Sequence, residues 1–392
     1  MATKQDRTRL RTSDTSVDAL QRALADSVFQ YAADRKKAAG RALGTLVEIV
    51  AYYVLRAWGF RDCVMIERSL PEYGNPAISH NVEFTLHPVL RSASAQLSPH
   101  AGPLTTAWIR RNTDLLAAMP STAALRSAQV LSGSRLLRNA CVIGEDDVGP
   151  LVANLDAGAG KTWGLTVCHL LRHPFAVFEC KRVGVEEGVR KGPQTIEKAK
   201  QGAYVARAVS SLQKVRSRKG EILGVLEAPD GTLRSGPYRT LLRELLDGRE
   251  LRPLVDFILT AGVVSNHGNW FTLENHNKEL RVLAQSYDWL LFLTDEGLGR
   301  FIQHLLLEPA KDLTAVQEAF HASYSRSASG TRFTKVRMDV DADAALRTYF
   351  FQHAQDLDGW FNVISPVRGT LRRLRSELGR LRGKRWKELL GQ

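Results

Sequence analysis

Along residues 42–58, ALGTLVEIVAYYVLRAW, nearly every position is apolar, and one charge, Glu48, interrupts the middle. A run of this length without proline predicts a helix, closed by the glycine at 59. Helical patterning begins at Val17 and runs to Phe60, behind a polar, basic arm over residues 1–16. The period then changes. CVMI (63–66) and NVEFTL (81–86) read as strands, and in the second Val82, Phe84 and Leu86 alternate with Glu83 and Thr85. That two-residue alternation marks a half-buried strand. Between them PEYGNP predicts a hairpin loop. Residues 89 to about 140 read as a helical insertion, through LTTAWIRRNTDLLAAM and ALRSAQVL. Apolar runs return in LTVCHLL and in FAVFECKRV (175–183), and a basic helix is predicted from about Gln194 to Val215. EILGVLEAPDGT reads as a further strand and turn. Beyond 235 the chain mixes VDFILTAGVV, DWLLFL, a helix around FIQHLLL and a last basic helix from SPVRGTLRR onward. The expected class is α/β (α+β), with a mixed central sheet flanked by helices.

FAVFECKRV carries the chemistry. Residues i and i+2 of a strand share a face, so Glu179 and Lys181 stand together at the end of an apolar run, while Cys180 points the other way. Hydrolysis of a phosphodiester calls for hard oxygen ligands to a metal such as Mg2+. It also calls for a cation that orients or deprotonates water and steadies developing charge. An acid and a lysine on one strand face supply both. Only two acid-x-Lys triplets occur, at Asp34 and at Glu179, and only the second ends an apolar strand. The glycine-rich DAGAGKTWG is a decoy: a phosphate-cradling loop needs glycine five residues before Gly160, where the chain has Leu155.

These residues resemble the PD-(D/E)xK nuclease superfamily, as found in type II restriction endonucleases. In that family a helix carrying a glutamate precedes the sheet, a first acid lies on the second strand, the (D/E)xK lies on the third, and a helix then packs over the sheet. Glu48 matches the helix glutamate, Glu179 and Lys181 the E-x-K, and the stretch from Gln194 the following helix. The first acid has two candidates, because no Pro-Asp dipeptide precedes Glu179. Asp156 lies 23 residues upstream and has the residue type usual for the role; Glu83 lies on the cleaner strand. The resemblance implies a restriction-endonuclease-like core over 35–230, an insertion at about 89–145, an N-terminal arm and helix over 1–34, and a C-terminal region over 231–392 for recognition or dimerisation. It implies Mg2+ held by Glu179 with Asp156 or Glu83, Lys181 acting on water, and Glu48 completing the site.

Net charge is +13 with pI near 9.7, which points to a polyanionic partner. Double-stranded DNA is the expected one. From Arg368 to Lys387 there are nine basic residues against one acid, with Leu371, Leu374, Leu378 and Leu381 at helical spacing. Arg372 and Arg373 there, with Lys198 and Gln201 in the helix after the E-x-K, are candidate phosphate contacts. A homodimer is expected for cutting both strands of a palindrome, as is a DNA methyltransferase encoded nearby. The four cysteines form no CxxC pair, the N-terminus has no apolar leader and no run approaches about 18 apolar residues; a cytoplasmic enzyme is expected. Two other readings keep the same residues: a repair or junction nuclease guided by DNA structure, and a DNA-binding protein whose nuclease-like core has lost activity.

Overall fold

Helix α1 (Arg35–Ala57) starts where the Asp34 side chain accepts from the Lys37 N–H, and runs through the apolar stretch to Gly59, whose φ of +90° suits only glycine well. Residues 17–390 are described in the computed structural model, except 31, 77, 79, 159, 185–197, 229, 268–277 and 325–330. The arm expected over 1–16 and the first residues of the helix expected from Gln194 lie outside them. Leu43, Leu46, Val47, Ile49, Val50, Tyr52 and Tyr53 of α1 are each buried to 1% exposure or less. Side chains of that size contribute about 1.5–3 kcal/mol each on burial. By length and composition α1 would pass for a membrane span, the one such helix among the described residues, yet 67% of its apolar window is buried inside the protein.

α1 covers a six-stranded mixed sheet whose spatial order follows the chain: β1 (Val64–Arg68), β2 (Val82–Leu86), β3 (Ala176–Gly184), β4 (Leu259–His267), β5 (Trp289–Leu293) and β6 (Phe361–Ser365). β2 is antiparallel to both β1 and β3, β3–β4 and β4–β5 are parallel, and β6 returns antiparallel. The parallel step from β3 to β4 is bridged by helix α2 (Gln201–Val209), which touches both strands. Phe84, Phe178 and Cys180 join the α1 core, whereas Val183 and Val264 pack with Ala199 and Ala203 near α2. The protein is thus a mixed α+β chain with several sheets.

Three expectations need correction. The insertion at 89–145 is mainly β, not helical. Val89–Leu97 pairs with Trp163–Leu170 in a second, five-stranded antiparallel sheet, and ALRSAQVL forms two short strands; Thr106–Asn112 is the insertion's only α-helix. VLRSASAQL alternates at period two, but its small Ala and Ser residues weakened that signal against nearby helix formers. The helix expected to reach Val215 ends at Val209, and Leu212–Arg216 turns into a three-stranded meander. The boundary at 230 separates nothing, because β4, β5 and β6 complete the sheet that β1–β3 begin. The glycine-rich decoy is the hairpin between Pro150–Asp156 and Trp163–Leu170, with no helix behind it.

Candidate active site

The β2–β3 register pairs Ala176 with Leu86, Val177 with Thr85 and Phe178 with Phe84. The pairing ends there; continued one step, it would bring Glu179 opposite Glu83, and the two carboxylates lie close enough to feel each other's charge. The β1–β2 register, with Ile66 on Phe84 and Arg68 on Val82, sets Glu67 against the same Glu83. Three glutamates therefore follow one another across three neighbouring strands. Like charges in such a row repel, so the row requires cations. Lys181 bonds Glu179 at 2.7 Å, from the same strand face. The second cation comes from far away in sequence: the Lys335 ammonium lies 2.6 Å from Glu48, 2.9 Å from Glu67 and in contact with Glu83. The expected residues Glu48, Glu83, Glu179 and Lys181 thus converge at one place. Glu48 finds the partner that its position in an apolar helix demanded.

Two glycines close the site on the α2 side. A Cβ on Gly202 of α2 would stand 2.7 Å from the Glu179 Cβ, and a Cβ on Gly262 of β4 would stand 2.9 Å from the Tyr287 ring. Gly262 is the β4 partner of Glu179, and the Tyr287 hydroxyl donates to the Ala199 carbonyl at 2.7 Å. α2 and Tyr287 therefore lie directly on Glu179, which is 2% exposed. Its Oε2 has no hydrogen-bond partner among the described residues. Burial raises its carboxyl above the ordinary range, with Lys181 pulling the other way. Burial, reinforced by Glu48, raises Glu83 as well, against Lys335 and Lys181. Burial alone would lower Lys335, but Glu48 and Glu83 reverse this and hold its ammonium above the usual range. Four carboxyls face two ammonium groups, a formal excess of two negative charges.

Asp156 is elsewhere. It ends a strand of the second sheet, and its carboxylate is taken up by Arg56 at 2.9 Å, Arg61 at 2.7 Å and Arg347 at 3.6 Å. Arg56 lies eight residues beyond Glu48 on α1, or about 12 Å of helix rise. With Tyr53 and Phe351 these arginines line a separate cavity of about 470 Å³. Of the two candidate first acids, Glu83 is the one placed near Glu179, and Asp156 lies at the arginine cluster.

The other candidates spread out. Gln201 opens α2 beside Gly202, and Lys198 is exposed on the helical residues just before it. Helix α3 (Leu371–Arg382) buries Leu371, Leu374, Leu378 and Leu381, as its spacing predicts, and exposes Arg372. Arg373 is tied to Glu377 at 3.0 Å, and Glu377 also accepts from the Trp289 indole at 2.8 Å. Sequence reading missed Glu67 and Lys335. Glu67 was detectable, since it sits at the end of the CVMI strand at a position the hairpin brings opposite Glu83. Lys335 carries no local signal: it lies in TRFTKVR, outside any apolar period.

The donor set suits a hard divalent cation. It consists of carboxylate oxygens, includes buried oxygens of Glu83 and Glu179 without a hydrogen-bond partner among the described residues, and carries a formal excess of negative charge. As they stand, no three His, Cys, Asp or Glu donors among the described residues are gathered tightly enough to hold an ion. Compared with family models, with curated proteins and with solved structures, the chain matched none.

Proposed function

We propose that this protein is a metal-dependent endonuclease acting on double-stranded DNA, with a core of the PD-(D/E)xK kind. The observation that carries the reading is the placement of Glu83 beside Glu179 on neighbouring strands, with Lys181 on the same face. The order of parts agrees with the resemblance: a helix bearing Glu48, a first acid on the second strand, E-x-K on the third, and a helix packed over the sheet. Glu83 and Glu179 would hold Mg2+, which when bound neutralises charge at the phosphate and activates a water. Lys181, on the partly open side of the pair, orients that water and donates to the phosphate. Exposed arginines such as Arg372 add non-specific backbone attraction. Site specificity, a homodimer and a companion methyltransferase belong to the same proposal, through the restriction-enzyme resemblance.

The test is a gel. Wild-type protein and Lys181→Ala are incubated with long defined DNA, with Mg2+ or with chelator. Discrete fragments that need both Mg2+ and Lys181 are expected. A smear would favour a structure-guided or non-specific nuclease. Intact DNA in every lane, on methylated and unmethylated substrate alike, would end the nuclease reading and leave a DNA-binding protein.

A further inference from the structure

The proposed metal ligands are already engaged by a cation of the protein itself. Lys335 is 6% exposed, and its ammonium reaches Glu48, Glu67 and Glu83 together. Its backbone is fixed: Asn139 donates from its side chain to the Lys335 carbonyl at 2.9 Å and from its N–H to the Val336 carbonyl at 3.0 Å. The next residues, Arg337–Asp339, pair with Leu136–Arg138. The ammonium thus hangs on a four-carbon tether from an anchored strand end, so it can leave by changing rotamers while the chain stays put. Lys335 forms an ion pair with Glu83, whereas Glu179 pairs with Lys181 and its Oε2 has no hydrogen-bond partner among the described residues. An ammonium brings one charge; a divalent ion brings two and binds both acids at short range.

We propose that Lys335 is a positioning residue of the site: its ammonium keeps the carboxylates assembled when no metal is bound, and a divalent ion enters only by displacing it. This rests on Glu83 and Glu179 being the metal ligands. Metal affinity is then a difference between two cations competing for the same oxygens, and Lys335 sets it.

The test needs no DNA. Mn2+ binding is titrated by the paramagnetic resonance of the free ion, and Mg2+ binding by the shift in melting temperature, in wild type, Lys335→Met and Lys335→Arg. Lys335→Met is expected to bind metal about tenfold more tightly or better, since a neighbouring unit charge has gone. It should also melt lower without metal and recover with Mg2+. Lys335→Arg should stay close to wild type. In wild-type protein, amine acylation mapped by mass spectrometry should modify Lys335 several-fold faster with Mg2+ than with chelator, which serves even if Lys335→Met does not fold. Unchanged or weaker binding in Lys335→Met, or Lys335 labelling indifferent to Mg2+, would overturn the proposal, as would absence of metal binding in wild type and variants. Metal binding with the expected Lys335 effects, but no cleavage of any DNA, would uphold the displacement and remove the nuclease reading alone.

Discussion

At the residue scale the decisive contrast is between Glu83 and Asp156. Both are acids upstream of the E-x-K, and sequence spacing admits either. Glu83 is buried beside Glu179, whereas Asp156 is held by three arginines at another cavity. Glu83→Gln is therefore expected to lower Mg2+-dependent cleavage by roughly a hundredfold to a thousandfold, the usual cost of losing one charge-organising group. Asp156→Asn should leave cleavage within about threefold, and cost about 1–2 kcal/mol of stability through its weakened arginine contacts. Cleavage assays and urea midpoints on the two variants decide between them. If Asp156→Asn abolishes cleavage while Glu83→Gln does not, the site is misassigned.

Between elements, contact distance outweighs local preference. In an exposed helix Gly→Ala gains up to about 1 kcal/mol. Gly44 of α1 is half-buried but has room for a methyl group, since a Cβ there has nothing within 4 Å. Gly202 of α2 has none, because its Cβ would strike Glu179. Gly44→Ala should raise the melting temperature and leave cleavage alone. Gly202→Ala should cost about 1–3 kcal/mol, as overpacking does, and reduce cleavage by moving Glu179. Equal effects at both glycines would show that α2 does not press on the acid. The same competition explains the misread insertion, where strand pairing overrode the helix-forming residues of ALRSAQVL.

For the whole molecule the sheet is the indivisible unit. β4, β5 and β6 come from beyond residue 230, and β3 lies buried between β2 and β4. A fragment ending at 230 would expose the edge of β3 to solvent, with its unpaired N–H and C=O groups and apolar faces. It is expected to be insoluble or unfolded, by circular dichroism and gel filtration, while the full chain gives one cooperative core transition. A folded, soluble fragment would restore the two-part division that the resemblance implied.

The sequence alone was enough for what is local. A long apolar run without proline, closed by Gly59, identified α1, the two-residue alternation identified β2, and i, i+2 spacing put Glu179 and Lys181 on one face. The leucine spacing of α3 foretold which side it buries. Each of these follows from backbone geometry within one element. Only the tertiary structure placed Glu83, and not Asp156, near Glu179, and brought Lys335 to Glu48 from 287 residues away. Those choices depend on strand order, register and where the chain returns, which no period along the sequence encodes. They also depend on electrostatics: the buried Glu83 and Glu179 must find cations, and nothing in the sequence says which lysine will supply them.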